Sequence, residues 1–154
     1  MRLVAAAVAA LVLAAPKTAD LKFSFKDIDA KKVSLSDFKG KVIILDFWAT
    51  WCEPCKKEIP DFITLQQKYG ARGLQIVGIS VDDSMKMAKT YATQMKMNYP
   101  VLLAEGKEDV LRAYEPINGI PVSVVIDRQG RIVAHHEGIK SLDVFEKEIL
   151  PLLE

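Results

Sequence analysis

Cysteine and histidine are scarce in this chain of 154 residues, which contains only two of each. Two cysteines can form a single bridge, so the fold cannot depend on a framework of disulfides. A structural zinc site usually takes four ligands, from a second cysteine pair or from paired histidines. Here the histidines are the neighbours His135 and His136, which would point to opposite faces of a strand. This scarcity argues against a metal site, and we expect no cofactor.

An excess of charge of one sign is also missing. The formal net charge is +1 and no basic cluster alternates with aromatic residues, so we expect no nucleic-acid partner. The chain has no long linker, no low-complexity segment and no internal repeat. A length of 154 residues, half of them hydrophobic, suits one globular domain with its own core. We expect this domain to act as a monomer.

No hydrophobic run reaches the length of about 20 residues that crosses a bilayer. Residues 3–15 are thirteen Leu, Val and Ala residues that follow Met1 and Arg2. A positive charge before a short apolar run is typical of a secretory signal. We therefore predict a signal peptide at residues 1–15, cleaved rather than retained as an anchor, and a domain at residues 20–154. The alternative is an alanine-rich helix attached to the domain. Export would place the domain in a periplasmic or extracytoplasmic compartment, where disulfides persist.

Hydrophobic periodicity predicts an α/β protein in which strands and helices alternate. A continuous apolar stretch at residues 42–47 predicts a central strand covered on both faces. The predicted elements are a hairpin with strands at 21–25 and 33–35, a strand at 42–47, a helix at 53–69, a strand at 74–80, a helix at 84–97 capped by Ser84, an extended piece at 99–103, a helix at 107–114, strands at 122–127 and 132–136, and a helix at 141–153 capped by Ser141. A βαβ unit joined to a ββα unit is a thioredoxin fold, a central mixed sheet flanked by helices. The N-terminal β-hairpin and a helical insertion between the two units are additions to its minimal form.

Both cysteines lie in the sequence Cys52-Glu53-Pro54-Cys55, between the buried strand and the helix at 53–69. The N-terminus of a helix favours a thiolate, because unpaired N–H groups and the helix dipole stabilise negative charge there. Cys55 lies one turn deeper on the same face. We therefore predict a redox-active disulfide, Cys52–Cys55, in which Cys52 attacks a substrate disulfide and Cys55 resolves the mixed disulfide. Haem attachment would need a histidine where Lys56 stands; an inert buried pair is the remaining alternative.

Two acidic residues near the cysteines are candidates for tuning their chemistry. Asp46 lies in the apolar strand, where a carboxylate is costly unless it has a task or a partner. Burial should raise its pKa and allow it to exchange a proton with Cys55; the alternative is a strand-end aspartate that faces water. Glu53 should oppose the thiolate of Cys52, whereas Lys56 and Lys57 favour it, or Glu53 is an ordinary acid of a first helical turn.

The dipeptide Ile120-Pro121 precedes the strand at residues 122–127. A proline that begins a strand beside a dithiol can adopt the cis form. The backbone of Ile120 would then be free to pair with an extended substrate. We therefore assign Ile120 and Pro121 to substrate binding.

The run FWATWCEPCKKEIP, with VSLSDFKGKVIILD before it and LQIVGISVDD, YPVLL and GIPVSVVIDRQGRIV after it, resembles the TlpA/ResA-like branch of thioredoxin-fold thiol:disulfide oxidoreductases. The likeness covers residues 21–154. It implies that Trp51 is a ring packed beside the dithiol, that Pro121 is a cis-proline, and that Asp46 occupies the place of a buried acid. It also places Asp83 near a second buried acid, where a glutamate is usual, so we count Asp83 with Trp51, Glu53 and Pro54 as residues that tune the redox pair. Val122 stands where the family often has threonine.

The resemblance implies an exported enzyme that reduces protein disulfides, with apocytochrome c in cytochrome c maturation as one class of substrate. Its electrons would come from a membrane thiol donor of the CcdA or DsbD type. A copper-binding thioredoxin-fold chaperone is an alternative, although such proteins commonly use a longer cysteine spacing and a histidine. A peroxiredoxin-like peroxide reductase is another, although its P-x-x-x-T-x-x-C pattern is absent here.

Overall fold

The computed structural model describes residues 15–81 and 84–154. The signal peptide predicted for residues 1–15, except for its last residue, and the predicted acid Asp83 therefore lie outside the described residues. Within the described ranges, no helix combines the length and the apolar character that a membrane span requires.

Strands and helices alternate through the described residues, as predicted. In chain order the elements are β1 (Ser24–Asp27), β2 (Lys32–Ser34), β3 (Val42–Trp48), α1 (Glu53–Tyr69), β4 (Leu74–Ser80), α2 (Met85–Met95), β5 (Val101–Leu103), α3 (Glu108–Ala113), β6 (Val122–Ile126), β7 (Ile132–Glu137) and α4 (Leu142–Ile149).

The seven strands form one mixed sheet in the order β2-β1-β5-β4-β3-β6-β7. Strands β3, β4 and β5 are parallel, and the others pair antiparallel to their neighbours. On one face the core contains Phe62 of α1 and Phe145 of α4; on the other it contains Val110 of α3 and Leu21. Every residue of β3 and β4 is buried because both faces are covered, which explains their continuous apolar sequences. The predicted thioredoxin fold is confirmed.

Two predicted bounds are wrong by more than two residues. The first hairpin strand begins at Ser24 rather than at residue 21, because Leu21 is buried in the loop that precedes it. The predicted extended piece is confirmed as strand β5, which pairs with both β4 and β1. The last helix ends at Ile149 before a 3-10 turn, since Pro151 cannot donate a backbone hydrogen bond.

The predicted helix caps differ in outcome. Ser84 caps α2, and its hydroxyl accepts the N–H of Met87 at 3.3 Å. Ser141 occupies the N-cap position of α4 with extended backbone, but its side chain makes no capping hydrogen bond. Helix α1 has the predicted bounds and continues through Pro60.

Candidate active site

The two cysteines lie where β3 gives way to α1. Cys52 is the N-cap of α1, with extended backbone, and its Sγ accepts the N–H of Cys55 at 3.3 Å. A helix N-terminus leaves its first N–H groups without backbone partners. One of these donors therefore points at the sulfur of Cys52, where it would stabilise negative charge.

Cys52 and Cys55 form a disulfide with a Cα–Cα distance of 5.3 Å, and neither cysteine of the chain is free. Cys52 is 4% exposed and Cys55 is 1% exposed. Both cysteines are thus buried, and the division of roles between Cys52 and Cys55 stays a prediction. Both sulfurs are otherwise packed among Trp48, Ala49 and Ile59.

The segment before β6 lies against the disulfide. The Ile120–Pro121 peptide bond is cis, as the resemblance implies. The carbonyl oxygen of Ile120 lies 3.6 Å from the Sγ of Cys52, although the two residues are 68 positions apart. The carbonyl oxygen of Pro121 accepts the N–H of Gly138 at 2.9 Å, which attaches this segment to the end of β7. The structure thus brings the predicted substrate-binding residues next to the predicted nucleophile.

The first turn of α1 carries the predicted tuning residues at the surface. Glu53 pairs with Lys56 at 2.7 Å, and this hydrogen bond and the lysine charge hold the pKa of Glu53 below its usual value. Glu53 is therefore an anion, directly after Cys52, whose charge is partly neutralised. Pro54 occupies the first turn, where its missing N–H costs nothing.

Trp51, whose ring the resemblance implies is packed beside the dithiol, directly precedes Cys52 and lies at the surface; its contact with the dithiol stays a prediction. Its side chain is 57% exposed, and the buried ring next to the cysteines is that of Trp48. The reason is position: Trp48 ends β3 and points into the core, whereas Trp51 lies in the turn that leaves the sheet. Trp51 is thus an apolar surface beside the disulfide.

Asp46 is 1% exposed, so the water-facing alternative is wrong. It lies in the middle of β3, between Gly78 of β4 and Ser123 of β6. Burial, followed by the charge of Glu58, raises the pKa of Asp46 well above its usual value. Neither carboxyl oxygen has a hydrogen-bond partner among the described residues.

Glu58 is a second buried acid, which the sequence did not single out. It lies on α1, three residues after Cys55, and is 1% exposed. Its Oε1 accepts the backbone N–H of Lys140 at 2.8 Å, and burial raises the pKa of Glu58 to about 7. Helical spacing could have found it, because Glu58 continues the apolar stripe of Cys55, Ile59 and Phe62. The resemblance instead placed a second acid near Asp83.

The two histidines are held apart, on opposite faces of the sheet. The Nε2 of His135 lies 3.0 Å from the carbonyl oxygen of Tyr114. The Nε2 of His136 lies 2.9 Å from a carboxyl oxygen of Glu148 on α4. Within residues 15–81 and 84–154, no three histidine, cysteine, aspartate or glutamate side chains are grouped as metal ligands.

The described site therefore combines a disulfide at a helix N-terminus, a cis-proline beside its outer sulfur, and the buried carboxyl groups of Glu58 on α1 and Asp46 on β3. A dithiol exchanges electrons with other disulfides, and each exchange requires protons to leave and return. Glu58, whose pKa burial raises to about 7, is suited to move such protons at neutral pH.

Comparison with known proteins gives consistent similarities. The sequence profile of the AhpC/TSA family matches residues 16–135. The thiol-disulfide oxidoreductase ResA of Bacillus thuringiensis subsp. konkukian (strain 97-27) is 34% identical over 132 residues, which cover 84% of this chain and 75% of ResA. ResA of Bacillus subtilis (strain 168) is 35% identical over 111 residues, 72% of this chain and 61% of that protein.

Solved structures resemble the whole described fold. A thiol:disulfide interchange protein of the thioredoxin family from Chlorobium tepidum TLS has a TM-score of 0.83 and 34% identity, covering 93% of this chain and 100% of that one. A putative thiol:disulfide interchange protein DsbE from Chlorobium tepidum has a TM-score of 0.79 and 31% identity, covering 91% and 100%.

Proposed function

Because this chain belongs to the AhpC/TSA family and, within it, to the ResA-like thioredoxin-fold thiol-disulfide oxidoreductases, we propose that it is an exported enzyme that reduces the disulfides of protein substrates. The observation that carries the proposal is the Cys52–Cys55 disulfide at the N-terminus of α1, with the carbonyl of Ile120 at 3.6 Å from its outer sulfur.

The reaction begins with the reduced pair. The thiolate of Cys52 attacks one sulfur of the substrate disulfide, forms a mixed disulfide and releases the first substrate thiolate. The thiolate of Cys55 then attacks the Sγ of Cys52, which forms the Cys52–Cys55 disulfide and releases the second substrate thiolate. The substrate gains two electrons, which the enzyme loses.

Substrate binding is assigned to the cis Ile120–Pro121 segment, where the backbone of Ile120 would pair with an extended peptide. The exposed ring of Trp51 supplies an apolar contact on the other side of the disulfide. Trp51, Glu53 and Pro54 are assigned to tuning the redox pair, and Asp83 remains a prediction.

The buried acids are assigned to the proton of Cys55. This thiol must lose its proton before it can resolve the mixed disulfide, and it is buried away from water. The charge of Glu58 raises the pKa of Asp46. The two carboxyl groups therefore release their protons at different pH values, and one of them stays protonated longer as the pH rises. The carboxylate that is free at neutral pH accepts the proton from Cys55, which later reaches the departing substrate thiolate.

The sequence of residues 1–15 supports export, and the reducing direction comes from the resemblance to ResA-like proteins. One similar structure, 26% identical with a TM-score of 0.76, is that of a secreted thiol-disulfide isomerase from Corynebacterium glutamicum. In an oxidising compartment a reductant needs an electron supply, and we assign this to a membrane thiol donor of the CcdA or DsbD type. Apocytochrome c is one candidate substrate. Recovery of the full chain in the cytoplasm with residues 1–15 intact would contradict export.

Trapping tests the roles of the two cysteines. Cys55→Ser should accumulate a mixed disulfide through Cys52 with a disulfide-containing protein such as insulin, whereas Cys52→Ser should accumulate none. The wild-type protein should catalyse insulin reduction by dithiothreitol, and neither variant should. Equal turnover by wild type and Cys52→Ser would contradict the proposal. A potential near −270 mV would support a reductant, and one near −120 mV would contradict only that direction.

Replacement of Asp46 tests the proton step. Asp46→Asn keeps the shape of the side chain but removes its ionisation, so we expect disulfide exchange to slow severalfold with little loss in the free energy of unfolding. Asp143→Asn, at an exposed position in the first turn of α4, is the matched control and should exchange at the wild-type rate. An Asp46→Asn rate equal to that of wild type would exclude the proton role of Asp46.

A further inference from the structure

Around Asp46, several polar side chains are buried without hydrogen-bond partners among the described residues. The unpaired groups able to donate are Trp48 Nε1, Tyr99 Oη and Ser123 Oγ, and the unpaired carboxyl oxygens are both of Asp46 and Oε2 of Glu58. Native structures leave few such atoms unpaired. The region thus contains three groups that can donate and three carboxyl oxygens that can accept. We therefore expect the donors to bind the carboxyl oxygens when a carboxyl group ionises.

Tyr99 is placed beside Asp46 by the glycine between them. Gly78 is the neighbour of Asp46 in the adjacent strand, and its N–H donates to the carbonyl of Pro100 at 2.9 Å. A Cβ atom on Gly78 would lie 3.3 Å from Cε2 of Tyr99 and 3.1 Å from Nε1 of Trp48. The absence of a side chain at Gly78 therefore lets both rings lie against the strand next to Asp46.

The electrostatic surroundings of Tyr99 come from three elements. Burial raises the pKa of Tyr99 well above its usual value, followed by the charges of Asp46 on β3, Glu58 on α1 and Tyr91 on α2. Glu58 in turn is influenced by Asp61 and Lys140. The phenol of Tyr99 thus keeps its proton at neutral pH and remains a hydrogen-bond donor next to groups that gain negative charge.

We propose that Tyr99 is a positioning residue for the dithiol reaction, whose hydroxyl donates a hydrogen bond, directly or through one water, to the carboxylate of Asp46 or Glu58 that accepts the proton of Cys55. The inference rests on the proposed function, because it assumes that these acids exchange that proton. In the resolving step the S–H bond of Cys55 breaks and its proton moves to the carboxylate. Tyr99 keeps its own proton and only stabilises the charge before transfer.

Tyr99→Phe tests this inference, because it keeps the ring and removes only the hydroxyl. The reduced protein would react with a dithiobis(nitrobenzoate) reagent, which releases one nitrothiobenzoate when Cys52 is modified and a second when Cys55 resolves the mixed disulfide. The rate of the second phase reports the ionisation of Cys55, because nitrothiobenzoate leaves as a stable thiolate and needs no proton. Its rate would be followed from acid to alkaline pH.

Loss of a donor to the carboxylate disfavours its charged form. The acid limb of the Tyr99→Phe profile should therefore shift upward by about half a pH unit or more, roughly a threefold loss of rate on the acid side, with the alkaline plateau unchanged. Tyr114→Phe is the matched control. The hydroxyl of Tyr114 is also buried but donates to the carbonyl of Asp20 at 2.7 Å on the opposite face of the sheet, so its profile should match wild type.

Asp46→Asn and Glu58→Gln separate the possible failures. If either variant moves the acid limb while Tyr99→Phe superimposes on wild type, the inference about Tyr99 is overturned and the proposed proton step stands. If none of the three variants moves the limb, the proton step itself fails and the inference fails with it.

A measurement on the wild-type chain covers the case in which Tyr99→Phe does not fold. The chain has four tyrosines, so the ¹³Cζ signal of Tyr99 can be assigned by elimination with phenylalanine variants of the other three. This signal should shift over the same pH range as the acid limb of the rate. A signal that stays constant over that range would overturn the inference.

Discussion

Glu58 and Asp46 illustrate what single buried acids contribute and what they cost. Burying a carboxylate without enough hydrogen-bond or charge partners costs free energy, so its pKa rises. Glu58 has one backbone partner, Lys140, for two oxygens, and Asp46 has none among the described residues. These positions weaken the fold at neutral pH, and we propose that they keep an exchangeable proton for Cys55. Buried acids with raised pKa values that do not stabilise the fold are typical of functional sites.

The raised pKa of Glu58 predicts a pH dependence of stability. Below pH 4.5, the ordinary value, Glu58 is protonated in both the folded and the unfolded chain. Between pH 4.5 and about 7 only the unfolded chain releases the proton, so the free energy of unfolding falls as pH rises, and above about 7 it stays at the lower value. The interval corresponds to about 3.5 kcal/mol at most, at roughly 1.4 kcal/mol per pH unit.

Glu58→Gln should remove this dependence, because the amide does not titrate and still accepts the N–H of Lys140. In urea unfolding of the oxidised protein, the advantage of the variant over wild type should grow from pH 5 to pH 8. Glu53→Gln should instead carry a small disadvantage that stays nearly constant from pH 5 to pH 8, because Lys56 lowers the pKa of Glu53 and this carboxyl group is ionised in both states over that range. An advantage of Glu58→Gln that is the same at both pH values would contradict the prediction.

At the scale of elements, Arg128 joins the ends of three segments of the chain. It lies in the turn between β6 and β7, and its guanidinium donates to four carbonyl oxygens: Gly40 before β3, Arg72 before β4, and Leu152 and Leu153 after α4. These carbonyls lie at the ends of elements, where the regular pattern of backbone hydrogen bonds stops. The turn is at the opposite end of β6 from Pro121, so Arg128 supports the fold without contacting the site.

Arg128→Ala should therefore lower stability and leave the chemistry unchanged. We expect a loss of about 1–3 kcal/mol in the free energy of unfolding, because four carbonyls, two of them partly buried, lose a charged donor. Arg128→Lys should lose less, since a lysine ammonium reaches fewer of the carbonyls. Arg112→Ala, at an exposed position on α3, is the control and should change stability little. Slower thiol exchange in folded Arg128→Ala would contradict the conclusion that Arg128 stabilises the fold without affecting the active site.

At the scale of the whole molecule, the sheet assembles the site from distant parts of the chain. The dithiol follows β3, the cis-proline precedes β6, Tyr99 precedes β5, and Lys140 follows β7. Because β6 runs antiparallel to β3, the beginning of one strand meets the end of the other. The Sγ of Cys52 thereby contacts Ile120. No local pattern encodes that meeting; it follows from the order of the strands.

The sequence by itself determined β3, α1 and the dithiol between them. A continuous apolar run, a proline in the first helical turn and apolar residues at helical spacing are local signals, and they set the observed bounds of α1. The burial of Asp46 was also predictable, because every neighbour in its strand is apolar. The family resemblance added the cis form of Pro121.

Only the tertiary structure decided which side chains surround the dithiol. From its helical position alone, Glu58 could have faced either the solvent or the sheet. It is buried because α1 packs on the sheet and the N–H of Lys140 donates to its carboxyl group. The exposure of Trp51, the burial of Trp48 and the approach of Tyr99 over Gly78 depend in the same way on contacts between separate elements. The reason is physical: hydrophobic periodicity reports which residues leave water, whereas the partners they meet depend on how the elements pack.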